Sequence, residues 1–502
     1  MNHWVIAPVA LPFATALLTM LPLGLRAQRA LAIASTLLLA LISLRLVGLA
    51  GQGAEVYALG AWPPPFGIAL VLDPLSAMMV TLTAFCGLAA LMHALSGWDE
   101  RGRDFHPLFQ FQLAGLNGAF LTGDLFNLFV FFELMLIASY CLLQHGAGGA
   151  RRAAGIHYVV LNLVGSTLFL VGVALIYGAT GTLNLADLAM KVSSIAPHQE
   201  PAVRAAALLL MVVFALKAAL LPLYFWLPAT YGAAAAPVAA IFVVLSKVGV
   251  YAILRVHGLV FGPDAGPLAH AVDAWLMPAA LATVAFGGIG ALGASTLREL
   301  CGYLAIGSSG LVLVSAALGT EAGFLAAQFY LVHSVISVAA LFLLADAIAA
   351  SRGADGDRIC RSTAMDNSML YGILFFVLAI ATAGLPPLAG FMGKAMVLVA
   401  ALRDPAFGWI LFIALTGSLL NLLALARAGI QFFWHCAHEP APEIRESWRR
   451  NVSAAAFLAA VTVALAAAAG PIAAYASKSA AQHASAYAYG AELLKKGAEV
   501  LR

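Results

Sequence analysis

Charged side chains are scarce in this sequence. Only 10% of the 502 residues are Asp, Glu, Lys or Arg, and 63% are hydrophobic, whereas a soluble domain averages about 25% charged residues. The mean hydropathy is +0.96. The net charge is only +3, so no excess of positive charge points to nucleic-acid binding. The composition excludes a soluble protein and indicates a polytopic protein that lies in a lipid bilayer.

Cysteine is also rare, and the five cysteines stand far apart without any C-x-x-C pair. This spacing favours neither a disulfide framework nor a metal cluster. His435, Cys436 and His438 form a short tract, but no second group of ligands accompanies it, and a solvated loop is the simpler interpretation. No G-x-x-x-x-G-K-[ST] motif is present, so the chain alone is not expected to use ATP. We expect neither a cofactor nor a bound metal.

Long apolar stretches recur along the whole chain at the spacing of helices joined by short loops. They predict an all-α polytopic membrane protein with one transmembrane domain over residues 1–475 and a C-terminal tail over 476–502. The fourteen predicted spans are 4–24, 29–50, 71–95, 108–122, 126–145, 156–178, 205–228, 236–261, 274–293, 300–318, 324–349, 369–402, 408–434 and 453–475.

Basic residues are distributed unevenly between these spans. The loops after odd-numbered spans hold thirteen Lys or Arg, the last three being Arg445, Arg449 and Arg450. The opposite loops hold four, which are Lys191, Arg204, Arg255 and Arg403. Short cytoplasmic loops accumulate Lys and Arg, so we predict a bacterial inner membrane protein with both termini outside. The lysines of the tail argue weakly for the opposite orientation. Positive charges follow the first apolar run, which indicates an uncleaved helix.

Four ionisable side chains lie inside apolar spans. Glu133, Lys217, Lys247 and Lys394 each have apolar neighbours on both sides. One charge at the centre of a membrane helix costs roughly 2.5–3.5 kcal/mol, so four unpaired charges would cost on the order of 10–14 kcal/mol. That equals the stability of a typical domain, about 5–15 kcal/mol. These groups must therefore be paired, hydrated or neutral. A pair between Glu133 and Lys217 is one solution, and it leaves two lysines without a carboxylate.

Two interpretations of these charges remain open. They could be polar contacts that hold helices together, although surplus lysines suit that role poorly because unpaired buried charge is costly. A series of buried titratable groups is also what proton transfer requires. His333 could relay protons between lysines or simply bond to a neighbour. Asp73 and Asp124 are predicted to cap helices, and Asp346 and Arg427 to reach the surface from helix ends.

Prolines interrupt two predicted spans close to the buried lysines. Pro222 and Pro228 should break the seventh span, and Pro386 and Pro387 the twelfth, because proline lacks an N–H donor and frees the carbonyl four residues earlier. Freed backbone groups at membrane depth persist only against protein or a watery cavity.

Broken helices in the two halves of a chain are typical of inverted-repeat transporters, whose sites lie near the midplane of the membrane. The two broken spans are five helices apart, and an odd offset reverses the direction of crossing. We therefore predict inverted five-helix repeats over 108–261 and 274–434. Ordinary proline kinks are the alternative.

Two stretches of the sequence are typical of a known protein family, and the resemblance to that family extends over nearly the whole chain. They are GDLFNLFVFFE at 123–133 and FWLPATYGAA at 225–234. The sequence resembles the D-type subunits of the Mrp-type multisubunit monovalent cation/proton antiporters, also called Mnh or Pha. That family is related to the antiporter-like proton-pumping subunits of respiratory complex I.

The resemblance implies fourteen helices with two inverted repeats and a proton relay. The relay would use Glu133, Lys217, Lys247 and Lys394, and His333 matches a histidine of the eleventh helix. Many relatives have a lysine four residues after that histidine, where Ser337 stands here.

The resemblance also implies a secondary transporter subunit and not an enzyme. It would export Na+ or K+ in exchange for protons, together with the A, B, C, E, F and G components of an Mrp complex. The alternative is a non-redox, proton-pumping subunit of an NADH–quinone oxidoreductase or a related membrane hydrogenase. A purely structural anchor is a third interpretation, but it does not explain the surplus lysines.

Overall fold

Helices account for most of the described chain. The computed structural model describes residues 2–269, 271–363, 365, 367–437 and 448–499. In the first half of the chain the helices are α1 (Ala7–Met20), α2 (Leu25–Ala50), α3 (Pro74–Ala94), α4 (Phe105–Leu121), α5 (Leu125–Gln144), α6 (Gly149–Thr180), α7 (Leu185–Ser193), α8 (Glu200–Ala218), α9 (Trp226–Ala233) and α10 (Ala236–Ala252). In the second half they are α11 (Asp273–Gly293), α12 (Leu297–Ala316), α13 (Glu321–Ser351), α14 (Ser368–Ala383), α15 (Ala389–Ala401), α16 (Phe407–Gly429), α17 (Trp448–Ala467), α18 (Ala469–Ala484) and α19 (Ala486–Glu499).

Each of the fourteen predicted spans coincides with one or two of these helices. Ten stretches within the described residues are long and apolar enough to cross a membrane, or eleven if the bent pair α17 and α18 is one span. The apolar helices α1, α14 and α15 are shorter. The chain is therefore a mostly helical polytopic membrane protein with about ten or eleven candidate spans.

Both predicted helix interruptions are present. The seventh predicted span divides into α8 and α9, and the twelfth into α14 and α15. Pro228 was expected to contribute to the first break, but it lies in the first turn of α9, where proline is tolerated. The carbonyl of Tyr224, predicted to be free, accepts a hydrogen bond from the Leu227 N–H at 3.0 Å. The first interruption therefore lies around Pro222 alone.

The core of the molecule lies along α10, α12 and α13. Every residue of α10 is buried, and the most apolar stretch of α13 is buried along its whole length. A helix that is apolar on all sides belongs inside a bundle or a membrane. The outer helices instead expose large apolar side chains, such as Leu41, Ile156, Ile289 and Phe412. A bilayer explains this exposure, because lipid replaces protein as the apolar neighbour.

One basic residue lies elsewhere than predicted. Arg255 was expected in a loop, but α10 continues as a π-helix over Ile253–His257, and Arg255 is buried there. Without Arg255, the loops after even-numbered spans hold three basic residues. The predicted difference in basic residues between the two sides of the membrane therefore becomes larger. Arg445 lies outside the described residues, as do the side chains of Arg449 and Arg450.

Short strands and the C-terminal helices complete the fold. Strands β1 (Glu55–Ala58) and β2 (Ala69–Leu72) pair antiparallel, with Glu55 opposite Leu72. Strands β3 (Ser362–Thr363) and β4 (Cys436–Ala437) pair in parallel. The described part of the predicted tail, up to Glu499, is mostly helical: α18 runs through its start, and α19 packs against α7 and β1. The tail is thus attached to the body of the protein.

Candidate functional site

Glu133 and Lys217 are connected through one turn of α6, which packs against both α5 and α8. The Lys217 ammonium donates to Asn162 Oδ1 at 2.8 Å, and Glu133 accepts a hydrogen bond from the Ser166 hydroxyl. Asn162 and Ser166 are four residues apart and so lie on the same helix face. Glu133 and Lys217 form no salt bridge in the part of the chain that the structure describes. These two residues therefore do not form the direct pair that the sequence left open as one way to neutralise them.

The position of Lys217 depends on where α8 ends. Lys217 lies in the last turn of α8, where the helix dipole favours a positive charge. Its Nζ atom lies 5.8 Å from the centre of the Phe132 ring, within range of a cation–π contact. A Cβ atom at Gly165 would lie 2.8 Å from Leu216. The same Cβ would lie 3.8 Å from the Lys217 Cε atom, so α6 passes close to the lysine at this position.

Lys247 is held by neutral oxygen atoms of α12. Its side chain is completely buried. The ammonium donates to the Ala305 carbonyl at 3.0 Å, to Ser308 Oγ at 2.9 Å and to Ser309 Oγ at 2.6 Å. All three N–H groups of a lysine are thereby used. The hydrogen bonds are complete, but none of these partners carries a negative charge.

Lys394 and His333 both contact the end of α14, where the twelfth predicted span is broken. Lys394 Nζ donates to the Ala383 carbonyl at 2.6 Å and to Ser418 Oγ at 2.9 Å. The Ala383 carbonyl is one of those predicted to be freed by the prolines. His333 Nε2 lies 3.1 Å from the Ala381 carbonyl, so this nitrogen carries the proton. Ser337 donates to the backbone carbonyl of His333 at 2.5 Å.

A small cavity lies between the partners of Lys247 and Lys394. Its volume is about 20 Å³, which is room for about one water molecule. The Asn421 Oδ1 atom is buried and has no hydrogen-bond partner among the described residues, so a water here would satisfy it. The polar side chains that line the cavity are Ser308, Tyr330, His333, Ser334, Thr382, Lys394, Ser418 and Asn421.

The five predicted site residues therefore form two groups. Glu133 and Lys217 form the first through α6, and Lys247, His333 and Lys394 form the second through α12 and the cavity. The groups meet where α8 and α10 touch. A Cβ atom at Gly249 would lie 2.4 Å from the Ala218 nitrogen, so only glycine permits this approach.

Sequence reasoning missed the polar partners of the lysines. The missed residues are Asn162, Ser166, Ser308, Ser309 and Ser418. Each is a polar residue inside a predicted apolar span, which is the signal that could have found them. Serine and asparagine are common between membrane helices, so this signal gains meaning only when the lysines are seen beside them.

The predicted capping residues are confirmed, and one has a further role. Asp124 accepts a hydrogen bond from the Asn127 N–H, and Asp73 from the Ser76 N–H. Asp73 also accepts two bonds from Arg255, at 2.5 and 2.8 Å. Tyr489 of α19 donates to the same carboxylate at 2.7 Å. This buried pair joins α3, α10 and the C-terminal helix.

Asp346 does not reach the surface as predicted. It is buried and accepts hydrogen bonds from His93, Trp98 and Arg298 at 2.7–2.9 Å. Arg427, by contrast, is exposed as predicted, and it donates to the Ala294 carbonyl at 2.5 Å.

A neighbouring carboxylate lies in the loop between α3 and α4. Burial acts to raise the pKa of Asp99, but hydrogen bonds from His106 and Arg29 outweigh it and hold the pKa at about 2. This loop is thus fixed to α2 and α4 through one ionised side chain.

Metal-binding groups were sought across the described ranges. They contain no cluster of three or more His, Cys, Asp or Glu that could hold a metal ion. In the His435–Cys436–His438 tract, His438 and the side chain of Cys436 lie outside those ranges.

Comparison with protein families gives a match over residues 122–421 to the family described as NADH:quinone oxidoreductase/Mrp antiporter, TM. A Rhizobium meliloti protein, named as the D-type subunit of a probable K+/H+ antiporter, is 42% identical, and the alignment covers 88% of this chain and 89% of that protein. The D-type subunit of the Na+/H+ antiporter of Bacillus subtilis is 38% identical, with 91% and 92% covered.

Solved structures agree with these relatives. A chain of the Mrp complex from Dietzia sp. superimposes with a TM-score of 0.88 at 28% identity, covering 98% of this chain and all of that chain. A chain of respiratory complex I from Thermus thermophilus gives a TM-score of 0.81 at 25% identity, covering 98% and 99%. The resemblance noted from the sequence is confirmed, and the chain belongs to the NADH:quinone oxidoreductase/Mrp antiporter family of transmembrane proteins.

Proposed function

We propose that this chain is the proton-translocating, D-type subunit of a multisubunit antiporter that exports Na+ or K+ in exchange for protons. The names of its relatives and the extent of the alignments support this assignment. The observation that carries it is the environment of the lysines. Lys217 and Lys247 are buried and Lys394 is half-buried, and the hydrogen bonds described for them go to neutral oxygen atoms. Such groups suit proton exchange better than structural pairing.

In this proposal protons move through the two groups in series. Glu133 and Lys217 exchange a proton along the face of α6, where Asn162 and Ser166 keep them in reach. Lys247, His333 and Lys394 form the second group, and a water in the cavity beside Ser308 would connect them. Each step transfers a proton between neighbouring nitrogen and oxygen atoms. Ser337 stands where many relatives have a lysine, four residues after His333. His333 and water therefore carry the proton past this position.

The proposed topology has fourteen transmembrane helices and inverted repeats over 108–261 and 274–434. The matching interruptions between α8 and α9 and between α14 and α15 support it. The proposed transmembrane domain covers 1–475, followed by the tail at 476–502. We place the protein in a bacterial inner membrane with both termini outside, among the A, B, C, E, F and G components of its complex.

A second candidate function is a proton-pumping subunit of an oxidoreductase. The TM-score of 0.81 to a chain of respiratory complex I favours keeping it. The same lysine series would serve both, because the energy source lies in other subunits. Genes for small antiporter subunits beside this one would support the antiporter, and genes for dehydrogenase and iron–sulfur subunits would support the alternative.

Lys247→Ala tests the proposal in the intact complex. Proton flux in membrane vesicles is followed after a pulse of Na+ or K+, and we expect this flux to be lost in the variant while the complex still assembles. Lys191→Ala is the matched control, since Lys191 is an exposed lysine paired with Asp187. A parental rate in Lys247→Ala would refute the relay. A flux that responds to neither cation would refute the antiporter.

A further inference from the structure

A second cavity lies where the helical segment of α10 ends, between the C-terminal end of α12 and the first turns of α11 and α13. Its volume is about 40 Å³, which is room for about three water molecules at about 10–15 Å³ each. The lining includes Asp273, Ala316 and Phe324 from the neighbouring helices. It also includes Pro263 and Gly319, which are exposed at the surface. The cavity therefore extends from the interior to the surface of the protein.

His257 forms the inner wall of this cavity. Its side chain is only 7% exposed, and neither Nδ1 nor Nε2 has a hydrogen-bond partner among the described residues. An unsatisfied buried polar group costs about 1–3 kcal/mol. Both nitrogens are closed off from the cavity in this conformation, so water would remove that cost only where a small movement lets it in from the cavity. An imidazole with water on it can accept a proton at one nitrogen and release one from the other.

The π-helix over Ile253–His257 sets the direction of the side chains at this end of α10. Single π-helical turns occur mostly at functional sites. Here the turn places Arg255 against Asp73, in a bidentate ion pair, and His257 against the cavity. The other titratable groups facing this end of the helix are Asp273 on α11 and His483 on α18, which stacks on Phe324 at 4.8 Å.

His257 is separated from the first relay group by one aromatic ring. The Phe214 ring lies 6.3 Å from the His257 ring, and it also contacts the Phe132 ring beside Glu133. Phe214 precedes Lys217 by one turn on α8. The cavity opens on the side of the membrane where α3 begins, because Arg255 and Asp73 meet there. The basic residues predict that this side is the outer one.

We propose that His257 and this cavity form a proton vestibule that connects the outer surface with the Glu133–Lys217 group. The inference rests on the proposed function and adds a relay residue and an access route to it. A cavity water that has taken up a proton from the outer surface passes one to a ring nitrogen: an O–H bond breaks, an N–H bond forms, and neutral water is left. The N–H bond on the other nitrogen then breaks, and its proton passes to the Glu133–Lys217 group through water that enters when the Phe214 ring moves aside.

His257→Ala in the intact complex tests this relay. We expect cation-dependent proton flux in vesicles to fall about 100-fold, the lower range for loss of a positioned proton-transfer group. Imidazole added to the medium should restore most of that flux, because it fits the space left by the ring. It should not restore Lys217→Ala, which lies beyond the vestibule. His198→Ala, in an exposed loop, should behave as the parent.

The access route is tested separately with Ala316→Cys, a small change in the cavity wall. A membrane-impermeant, positively charged thiol reagent added outside should label it above the level of the unsubstituted chain and slow the flux. Ala339→Cys, which is completely buried on α13, should stay unlabelled. This experiment remains decisive if His257→Ala fails to assemble.

The outcomes separate the vestibule from the proposed function. Parental flux in His257→Ala, absence of rescue by imidazole, or absence of labelling at Ala316→Cys would each overturn the vestibule. If Lys217→Ala still lost its flux, the relay would stand without this route. Parental flux in both Lys217→Ala and Lys247→Ala would overturn the proposed function itself.

Discussion

Asn162 does more at the scale of single residues than its type suggests. Its Nδ2 atom donates to the Tyr158 carbonyl at 2.8 Å, which fixes the amide and leaves Oδ1 for Lys217. The lysine therefore meets an acceptor whose orientation is set before the proton arrives. A fixed neighbouring dipole of this kind stabilises charge without reorganisation.

We predict that Asn162→Leu slows cation-dependent proton flux about tenfold or more. Leucine removes the Lys217 acceptor, and a hydrogen bond to a charged group is worth about 1.5–3 kcal/mol. The measurement is proton flux in vesicles, with complex assembly checked by co-purification. Asn162→Asp keeps an acceptor oxygen and should retain more of the flux. Equal flux in the leucine variant and the parent would contradict a role for the bridge.

At the scale of elements, the contact of α8 with α10 brings two of the lysine-bearing helices together. Lys217 and Lys247 belong to these two helices, and their separation depends on how closely the backbones approach. Gly249 is the residue that permits this, since an added Cβ would lie 2.4 Å from one backbone atom and 2.7 Å from another. Backbone atoms cannot move aside as a flexible side chain can.

Gly249→Ala should therefore destabilise the protein by about 1–3 kcal/mol and reduce proton flux. Thermal unfolding of the solubilised complex is the measurement. Gly48→Ala is the control, because a Cβ at this helical position meets nothing within 4 Å and should be neutral or slightly stabilising. A Gly249→Ala protein as stable as Gly48→Ala would show that the two helices separate without cost.

The loop between α3 and α4 connects distant parts of the whole molecule. Asp99 accepts bonds from Arg29 of α2 and His106 of α4. The adjacent Trp98 donates to Asp346 of α13 at 2.9 Å. Outer helices and the central helix are thus joined at one end of the bundle by a short segment that carries one carboxylate, Asp99, and donates a hydrogen bond to another, Asp346.

We predict that Asp99 stabilises the protein most above its ordinary pKa of 3.8, and that this contribution disappears as the pH falls toward about 2. The sign follows from the lowered pKa, because the unfolded chain takes up a proton before the folded one. Thermal stability of the solubilised complex is compared for the parent and Asp99→Asn across this range. The difference should shrink on acidification. A constant difference would contradict the prediction.

The sequence by itself determined the class, the family and the four charged residues that lie inside apolar helices. Apolar runs as long as a membrane helix and a scarcity of charge indicate a lipid environment. Within lipid, unpaired charges and unpaired backbone groups are costly, so such a chain must form helices with few charges. The broken helices were also readable, since proline removes a donor wherever it stands. Asp73 and Asp124 were readable as caps because capping is a local interaction.

Only the tertiary structure decided which partners these charges meet. Glu133 and Lys217 suggested a salt bridge, but the packing of α6 placed Asn162 and Ser166 at them instead. Arg255 looked like a loop charge until the π-helical turn brought it to Asp73, almost two hundred positions earlier in the chain. Contacts between residues so far apart depend on helix packing, and apolar periodicity does not specify which faces meet.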